Sequence, residues 1–565
     1  MECEVCKKPS NQECSACHSA NYCSQGHQRK HWQVHKKDCT PIVLRESPAL
    51  GRHWVASRNL KAGTLILKES PILRSPAWPT SNFGMWVANE NPLEKAQCLT
   101  CGVFLSVVGN DVYRCSKCTW PLCGPECERN PNHLGNECAV FKMTQFTFPP
   151  PRHEITPKRI DWAVTMIRLG RIKITNPQRF QEIMNLQREP NIPADAATLD
   201  GLKSAIDAIN YYFNNGALNF LRLSDDEMSK YLWIMKLNGM NCSQPDSVDE
   251  DKITCRQDCL YLKVSMLANS CSPNCAQSQI IPGPDYVMWV RTAIPVKKGQ
   301  PLTIAYCGSD CFGTADRQRE LREKFYFVCK CDRCLDPTEL RTYSSSVTCL
   351  SCLEEKDDNV ENTDPNLGYM SPEDPLAIDD STTNWKCNQC DSVVPASSVV
   401  PRINRLGRII KNAHNSNQAF CRKLIEENSG RVLHPNHWII QMAASCILSK
   451  YFSPEVNSPA FDMEEVRRLA FFRLKIQDTL NPGISFVRAM YQRDCVLLIF
   501  PKLFASSFES NISEETKERF RECLKMLTPV IEYYRLFKES LTDAENNVRS
   551  LMSIKESIGS LHFLS

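Results

Sequence analysis

Closely spaced cysteines are the residues of this 565-residue chain with the clearest chemistry. Cys329, Cys331 and Cys334 form a Cys-x-Cys-x-x-Cys cluster, which presents three thiolates on one tight loop. Because a tetrahedral zinc ion takes four ligands, a fourth must come from another part of the chain. Cys271 is the natural candidate. We therefore predict a metal site that joins the loop at Cys271 to the segment that follows Tyr306.

Residues 1–40 carry a dense set of possible zinc ligands, arranged in pairs. They are Cys3, Cys6, Cys14, Cys17, Cys23, His27, His35 and Cys39. Such a set suffices for two tetrahedral zinc ions, and scattered surface cysteines would not produce such regular pairs. His31 lies nearby and is a rival ligand. Because this segment has few large apolar residues, we expect it to fold only with metal, whose binding contributes about 10–16 kcal/mol per site.

A second set of ligands repeats this order between residues 98 and 138. It consists of Cys98, Cys101, Cys115, Cys118, Cys123, Cys127, His133 and Cys138. The second gap is longer and the last pair is slightly wider than in the first set, and an internal duplication is the simplest explanation. We therefore predict two more zinc ions in this segment.

Two further Cys-x-x-Cys pairs lie towards the middle of the chain. They are Cys349 with Cys352 and Cys387 with Cys390. This pattern is typical of a zinc ribbon with a long insertion, and four unligated thiols are the alternative. Residues 353–384 between the pairs are rich in acidic side chains, so we expect a solvated or disordered loop there.

The composition excludes several classes of protein. Apolar residues make up 42% of the chain and charged residues 23%, which is ordinary for a soluble globular protein. A formal charge of +3 does not favour binding of nucleic acid by the whole chain. No apolar run approaches the roughly 18 residues of a membrane span, and the N-terminus does not look like a signal peptide. We expect a protein of the nucleus and cytoplasm, where 31 cysteines indicate metal rather than disulfides.

Hydrophobic periodicity predicts the elements that position these ligands. Alternating apolar residues predict short strands within residues 50–73 and again within residues 239–308. Residues 155–237 have the apolar spacing of helices, and a further amphipathic helix over residues 314–326 leads into the Cys-x-Cys-x-x-Cys cluster. From residue 400 onwards the pattern is helix after helix with short polar joints, as in a helical-repeat array.

Two details of the helical segment can be checked directly. Leu199, Leu202, Ile206 and Ile209 approximate helical spacing, so we predict that they form a core face. Ser224 precedes three acidic residues, which predicts that it caps the start of a helix.

Residues 270–274, residues 302–306 and the Cys-x-Cys-x-x-Cys cluster together resemble the SET-and-MYND (SMYD-type) family of protein-lysine methyltransferases. The resemblance covers nearly the whole chain, and the arthropod-type branch, often with two MYND-like fingers, is the most similar. It implies an α+β multidomain fold with a β-rich SET core. The implied domains are a MYND zinc finger (1–40), a split SET domain (45–310) containing a second MYND-like finger (98–138) and a helical insert (155–238), a post-SET zinc site (311–336), a zinc-ribbon-like insert (345–395) and an all-α, tetratricopeptide-like C-terminal domain (400–565).

In this family the ligand pairs of a finger interleave, first with third and second with fourth. The resemblance therefore implies four zinc sites in the two fingers: Cys3, Cys6, Cys23 and His27; Cys14, Cys17, His35 and Cys39; Cys98, Cys101, Cys123 and Cys127; and Cys115, Cys118, His133 and Cys138. With the site at Cys271 and the ribbon, we expect about six zinc ions.

The resemblance also implies methylation of lysine side chains with S-adenosylmethionine as cofactor. Tyr306 occupies the position of the family's active-site tyrosine and is the candidate catalytic residue. The candidate cofactor-binding residues are Asn241, Asn269, Ser270, Tyr306 and Phe327. Because the chain has Ala268-Asn269 where the family has Asn-His, Asn269 would substitute for a lost neighbour by a shift of one residue.

Other departures from the family pattern favour an alternative. His53 replaces the second glycine of the family's Gly-x-Gly and would obstruct close backbone approach, and Phe325 replaces a tyrosine. The alternative is a zinc-built scaffold with weak or no catalysis. On either hypothesis the fingers and the C-terminal domain would bind protein partners such as corepressors, with a role in transcriptional repression. We expect no direct DNA binding, because residues 1–40 have six Lys/Arg against four Asp/Glu and lack Cys2His2 spacing.

Overall fold

The computed structural model describes residues 2–10, 12–14, 20–36, 39–75, 78–80, 98–101, 105, 112–144, 157–213, 223–243, 254–278, 286–308, 312–354, 367–377, 382–413, 418–452, 462–506, 512–538 and 544–560. Within these residues, the helices are too short or too polar for any of them to cross a membrane.

The strands are short. In chain order they are β1 (Gln12–Glu13), β2 (Asn21–Tyr22), β3 (Ile42–Ser47), β4 (Gly51–Ala56), β5 (Leu65–Glu69), β6 (Leu73–Arg74), β7 (Trp78–Thr80), β8 (Met240–Ser243), β9 (Thr254–Leu260), β10 (Ala268–Asn269), β11 (Cys275–Gln277), β12 (Met288–Thr292), β13 (Thr303–Ile304), β14 (Val347–Thr348), β15 (Tyr369–Pro372), β16 (Asn384–Cys387) and β17 (Val393–Pro395).

The helices form two groups, one between the strands and one after them. They are α1 (Gln25–His35), α2 (Pro125–Arg129), α3 (Pro131–His133), α4 (Ala139–Thr144), α5 (Pro157–Thr175), α6 (Pro177–Met184), α7 (Ala196–Phe213), α8 (Asp225–Asn238), α9 (Thr314–Phe325), α10 (Asp332–Leu335), α11 (Leu350–Glu354), α12 (Ala396–Ala413), α13 (Gln418–Asn428), α14 (Trp438–Phe452), α15 (Met463–Leu480), α16 (Phe486–Ser506), α17 (Glu514–Leu536) and α18 (Ala544–Gly559).

The strands of the central region form several small sheets around one apolar cluster. β12 pairs antiparallel with both β5 and β11, and β3 and β4 form an antiparallel hairpin. β9 pairs with β6, β7 and β8. Leu67, Val290 and Ile304 are buried in the shared core. The strand expected near residue 65 is present, because its apolar residues are covered by this core.

One parallel pair differs from the rest. Ala268 pairs with Thr303 and Asn269 with Ile304, so β10 and β13 join two segments that lie far apart in the chain. The strand is shorter than the pattern of residues 302–306 predicts. It ends before Tyr306 because the Tyr306 amide donates to the side chain of Asn269 rather than to a neighbouring strand.

The helical insert consists of α5 to α8. The predicted cap at Ser224 is present as a capping box, in which Ser224 and Glu227 satisfy each other's backbone amides. Leu199 was predicted to face the core together with Ile209, and this is wrong for Leu199, which is 51% exposed whereas Ile209 is buried. The reason is position: Leu199 lies in the first turn of α7, before the helix reaches the core.

The predicted acidic loop over residues 353–384 is wrong for part of its length. Residues 369–372 form β15, the second strand of a four-stranded antiparallel sheet with β14, β16 and β17. Leu367 and Met370 are buried there, although the surrounding sequence is acidic. The strand forms here because it pairs with β14 on one side and β16 on the other. Residues 355–366 and 378–381 lie outside the described residues.

The C-terminal helices bury a large apolar core and contact the central sheet at the turn between α15 and α16. The amide of Ile484 donates to the carbonyl of Ala293 over 2.9 Å. Arg291, on β12, donates to the carbonyl of Leu536 at the end of α17. These contacts place the helical region directly against the strands that carry the site.

Gly483 lies at this contact, and its substitution tests how closely the two regions pack. Its φ of +74° is rarely adopted by other residues, and a methyl group there would lie 2.1 Å from the carbonyl oxygen of Ala293. We expect Gly483→Ala to destabilise the protein by roughly 2 kcal/mol or more, measured as a lower midpoint of thermal unfolding. Gly201→Ala in α7 is the matched control, since nothing lies within 4 Å of its added methyl. Equal midpoints for the two variants would contradict this account.

Candidate metal centre and active site

The candidate site is built where residues 267–275 cross residues 301–306. The amide of Ala268 donates to the carbonyl of Leu302 over 3.1 Å, and the amide of Ser270 donates to the carbonyl of Ile304 over 3.0 Å. These bonds extend the parallel pair of β10 and β13 in both directions. The crossing therefore fixes the backbone of both segments before any side chain contributes.

Hydrogen bonds of Asn274 also link the two crossing segments. Its buried side chain accepts from the Thr303 amide over 2.9 Å and donates to the Pro301 carbonyl over 2.8 Å. Its own amide donates to the Thr303 hydroxyl over 3.0 Å. We did not single out Asn274 from the sequence. The available signal was an asparagine directly after a proline, and an amide there can serve a donor and an acceptor at once.

The predicted ligands Cys271, Cys329, Cys331 and Cys334 meet beside this crossing. Their sulfur atoms all lie within 4.8 Å of one another, and the Sγ atoms of Cys271 and Cys334 are 3.6 Å apart. Four thiolates at 2.3 Å from a zinc ion would be separated by about 3.8 Å, so the set fits tetrahedral zinc. We call this cluster the closing metal site.

One thiol of the closing site ionises more readily than its partners. Hydrogen bonds from Cys307 and from the three partner cysteines hold the pKa of Cys271 well below its ordinary value. A lowered thiol pKa favours the thiolate, which is the form that binds zinc. Cys307 is a buried neighbour of this site.

Helix α9 connects the closing site to the aromatic residues around Tyr306. Gln318 donates to the carbonyl of Cys329 over 2.7 Å and accepts from its amide over 3.1 Å. The helix ends at Phe325, and the next residue, Tyr326, has a left-handed backbone with φ of 57°. This turn sends the chain back towards the metal ligands. Phe325 and Phe327 are consequently delivered to the same side.

Tyr306 lies among these aromatic rings. The ring centroids of Tyr306 and Phe325 are 5.1 Å apart, and Phe327 meets Tyr306 edge-on at 6.3 Å. The Tyr306 hydroxyl donates to the carbonyl of Leu267 over 2.5 Å. Burial raises the pKa of Tyr306 to about 12, so its hydroxyl stays protonated at neutral pH. The arrangement is a cluster of aromatic rings with one polar group, and we refer to it as the aromatic pocket.

Asn269 links Tyr306 to the closing site. Its Oδ1 accepts from the amide of Tyr306 over 2.9 Å, and its Nδ2 donates to the Sγ of Cys329 over 3.2 Å. The side chain predicted to bind cofactor is therefore engaged at both ends within the protein. Its role in this structure is to hold the Tyr306 backbone at a fixed distance from a metal ligand.

The other predicted cofactor-binding residues differ in placement. The Ser270 hydroxyl donates to the carbonyl of Ser272 and accepts from its amide, which fixes the turn before the proline. The backbone of Asn241 pairs with Asp258 in the neighbouring sheet, and its side chain lies outside the described part of the structure. His53 is buried, with its Nδ1 2.9 Å from the Gly51 carbonyl.

The first finger brings one complete ligand set together. Cys3, Cys6, Cys23 and His27 cluster, with the His27 Nδ1 atom 3.4 Å from the Sγ of Cys3. Ser24 caps α1 by accepting from the His27 amide, which orients the ring. This is the first interleaved pairing that the resemblance implies.

The second set of the first finger is partly described. The Sγ atoms of Cys14 and Cys39 are 3.6 Å apart and His35 is buried, whereas Cys17 lies outside the described residues. The rival ligand His31 is engaged elsewhere, with its Nδ1 3.0 Å from the Tyr22 hydroxyl.

The second finger brings both of its ligand sets together, again interleaved. They are Cys98, Cys101, Cys123 and Cys127, and Cys115, Cys118, His133 and Cys138. The His133 Nε2 atom faces the thiols, 3.7 Å from the Sγ of Cys118, while its Nδ1 lies 3.8 Å from Glu137. A carboxylate behind a metal-binding histidine orients the ring and strengthens the ligand.

Glu137 also fastens the second finger to the helical insert. Burial raises the pKa of Glu137, but Arg168 and His133 outweigh that effect and hold it at about 2. Arg168, on α5, binds both carboxylate oxygens of Glu137 and donates to the carbonyl of Leu99. Trp120 stacks on Phe141 in the same core at 4.6 Å. The second finger is thus part of the core of the insert.

The four cysteines of the ribbon form a further set of possible metal ligands. Cys349, Cys352, Cys387 and Cys390 cluster, with Sγ separations of 3.7 Å between Cys349 and Cys390 and 3.8 Å between Cys352 and Cys387. These separations are those of tetrahedral zinc. The geometry favours a zinc ribbon over four unligated thiols.

Comparison with known proteins agrees with this geometry. Residues 3–39 match the MYND finger family. Histone-lysine N-methyltransferase ASHR2 of Arabidopsis thaliana is 23% identical over 306 residues, 52% of this chain and 72% of the relative. The SET domain-containing protein SmydA-8, isoform B, of Drosophila melanogaster is 23% identical over 372 residues, 66% of this chain and 71% of the relative. The chain is therefore similar to proteins that are named for a SET domain or for histone-lysine methylation.

A human relative shares a shorter region. Histone-lysine N-methyltransferase SMYD3 of Homo sapiens is 27% identical over 151 residues, which cover 26% of this chain and 30% of the relative. The longer matches to the plant and fly proteins extend over more than half of this chain. Similarity is therefore not confined to the first finger.

Metal content tests the ligand assignment of this protein. We expect about six zinc ions per chain, one for each of the five donor sets above and one for the set that includes Cys17. Elemental analysis of the purified protein by mass spectrometry measures this number directly. Four or fewer zinc ions per chain would contradict the assignment.

Proposed function

We propose that this protein is a member of the SET-and-MYND family and an S-adenosylmethionine-dependent protein-lysine N-methyltransferase. The observation that carries the proposal is the placement of Tyr306. It lies between Phe325 and Phe327 and is held by Asn269 at the crossing of two chain segments. Relatives of this chain are named histone-lysine methyltransferases, which supports the same reaction class.

The aromatic pocket suits the positive charge of the cofactor. S-adenosylmethionine supplies an activated methyl group on a positively charged sulfonium. The ring faces of Phe325 and Phe327 beside Tyr306 attract such a charge, because aromatic faces carry negative electrostatic potential. Asn241, Asn269, Ser270, Tyr306 and Phe327 are the residues that would hold the cofactor. Asn269 and Ser270 would do so through their backbone, since their side chains are engaged.

The pocket also suits the lysine amine. A lysine amine has an ordinary pKa of about 10.4 and must lose a proton before it can accept a methyl group. Apolar walls disfavour the ammonium form and so lower that pKa. Tyr306 does not act as the base, because its own pKa of about 12 keeps it protonated. Its hydroxyl, fixed on the Leu267 carbonyl, orients the amine instead.

The partners are proposed on the same basis. The substrates would be histone or non-histone proteins that present a lysine, in the nucleus and the cytoplasm. The first finger and the C-terminal helices would bind other proteins, including factors of transcriptional repression. Two exposed apolar side chains on α1, Trp32 and Val34, give the first finger a surface for such contacts.

A second candidate function is a zinc-built scaffold with little catalysis. It is favoured by Ala268, which offers no polar side chain to a cofactor, and by the engaged amide of Asn269. The scaffold would keep the fold and the metal sites and bind protein partners only.

Calorimetric titration with S-adenosylmethionine separates the two candidates. The methyltransferase hypothesis predicts heat of binding and a rise in the melting temperature, because a ligand that binds the folded state stabilises it. No heat and no thermal shift at millimolar cofactor would contradict the methyltransferase hypothesis and leave the scaffold.

Substitution of Tyr306 tests its role in the proposed reaction. Tyr306→Phe removes the hydroxyl and keeps the ring, so we expect methyl transfer to fall by about tenfold to a hundredfold while the protein stays folded, with a melting temperature lowered slightly because the Leu267 carbonyl loses its donor. Tyr451→Phe in α14 is the control and should keep full activity. Equal activity of Tyr306→Phe and the parent protein would exclude Tyr306 from the site.

A further inference from the structure

Three buried charged residues lie between the closing metal site and the C-terminal helices, and the proposed reaction does not use them. They are Arg317, Arg333 and Glu339, with side chains at most 1% exposed. Charged groups are rarely buried this fully unless each is paired. Their position therefore calls for a function.

The carboxylate of Glu339 is the centre of this group. Its Oε2 accepts from Arg317 Nη1 over 2.6 Å and from Arg333 Nε over 2.9 Å. Its Oε1 accepts from the amide of Thr314 over 3.2 Å and from the Ser345 hydroxyl over 2.5 Å. Burial raises the pKa of Glu339, but the two guanidinium groups outweigh it and hold it at about 2. The residue is charged throughout the physiological range.

Glu339 binds the start of the helix that carries the aromatic pocket. Thr314 is the first residue of α9, and Phe325 is its last. A carboxylate at a helix N-terminus satisfies free amides and complements the helix dipole. Gln318 holds the middle of the helix to Cys329, as described above. The position of Phe325 against Tyr306 therefore depends on an anchor at the opposite end of a rigid helix.

The same anchor reaches the metal ligands. Arg317 donates to the Sγ of Cys334 over 3.6 Å, and Arg333 donates to the carbonyl of Cys271 over 3.3 Å. Both guanidinium groups are thus shared between Glu339 and the closing site. Two arginines and one glutamate carry a net positive charge. Four zinc-bound thiolates carry a net negative charge, which offsets it.

The backbone around Glu339 adopts a rare conformation. Glu339, Leu340, Arg341 and Tyr343 all have φ between 49° and 62°, the left-handed region that residues other than glycine seldom occupy. Such conformations persist where the surroundings fix them, and they are enriched at functional sites. The turn is held by Asp336, whose carboxylate accepts from the amides of Thr338 and Leu340.

This turn also contacts the C-terminal helices. The amide of Trp438, at the start of α14, donates to the carbonyl of Ser344 over 2.9 Å. The Trp438 ring lies against Gly313, where an added methyl group would come within 2.6 Å of it. The first turn of α9 is therefore enclosed by Glu339, Ser345 and Trp438.

We propose that Glu339 is a positioning residue for the proposed methyl transfer, which fixes α9 and through it Phe325 and Phe327 against Tyr306. The inference rests on the proposed function for its catalytic consequence. The placement of the helix itself is independent of that function. Glutamine cannot replace this group, because its single oxygen cannot serve the arginines and the Thr314 amide together.

The test compares Glu339→Gln with Glu320→Gln, a matched control on the same helix whose carboxylate pairs with Lys324 on the surface. We expect Glu339→Gln to lower kcat about tenfold or more, with the KM for the protein substrate changed by less than about twofold. Glu320→Gln should match the parent protein in both. An unchanged kcat for Glu339→Gln, or an equal loss in both variants, would overturn the proposal.

A double variant that restores the net charge of the buried group tests the proposal in case Glu339→Gln alone does not fold. Glu339→Gln combined with Arg333→Met restores the net charge of the group while the Thr314 amide still lacks its carboxylate. We expect this double variant to recover the melting temperature but not kcat. Recovery of kcat together with stability would show a purely structural role and overturn the proposal.

Hydrogen–deuterium exchange provides a readout that does not depend on activity. Glu339→Gln should speed exchange at the start of α9 and at residues 325–327, and Glu320→Gln should not. If the parent protein proves inactive but exchange changes as expected, the proposed function fails while the placement of α9 by Glu339 stands. Unchanged exchange in Glu339→Gln contradicts the positioning role whether or not the protein is active.

Discussion

The tetrahedral meeting of Cys271 with Cys329, Cys331 and Cys334 is the constraint on which the rest of the site depends. Each of the four sulfur atoms must reach the same point, and they come from two segments with α9 between them. A bound metal therefore fixes Cys271, which lies at the crossing of residues 267–275. It also fixes the three cysteines that follow α9, so the chain is held both before and after this helix. Without it, buried thiols and two buried arginines would face one another with too few anions.

The metal constraint reaches Tyr306 through a short chain of contacts. Asn269 connects a ligand sulfur to the Tyr306 amide, and Gln318 connects the Cys329 backbone to α9. Each contact joins groups that are already fixed, so a displacement at the metal moves the aromatic pocket as well. A zinc ion at this site would therefore hold the candidate catalytic residue in position without taking part in the chemistry.

The two fingers differ in how they are joined to the rest of the protein. The first forms a small core of its own around Cys3, Cys14 and Tyr22. The second shares a large core with the helical insert, to which Arg168 and Glu137 fasten it. The duplicated ligand pattern therefore has two structural uses. The first finger exposes Trp32 and Val34, and the second holds the insert in place.

The spacing of the cysteines predicted the metal ligands and periodicity predicted the helix over residues 314–326, because both are local signals. Tyr306 and Phe327 became candidates only through the family resemblance. The partners of Asn269 were not predictable, since Tyr306 and Cys329 approach it only through the fold. The same holds for Glu339, an ordinary surface residue by type, and for β15 within an acidic stretch. Leu199 failed for the opposite reason: its spacing fits a core face, but the core begins one turn later.

The central claim is that the closing metal site holds the candidate catalytic pocket together, and two cysteine variants test it most directly. Cys334→Ser and Cys352→Ser each remove one ligand from a four-cysteine site, the first at the closing site and the second in the ribbon. Zinc content, circular dichroism and methyl transfer should be measured on both. The account predicts that each loses one zinc ion and keeps its helices, and that only Cys334→Ser loses methyl transfer. Full methyl transfer by Cys334→Ser after loss of its zinc ion would contradict it.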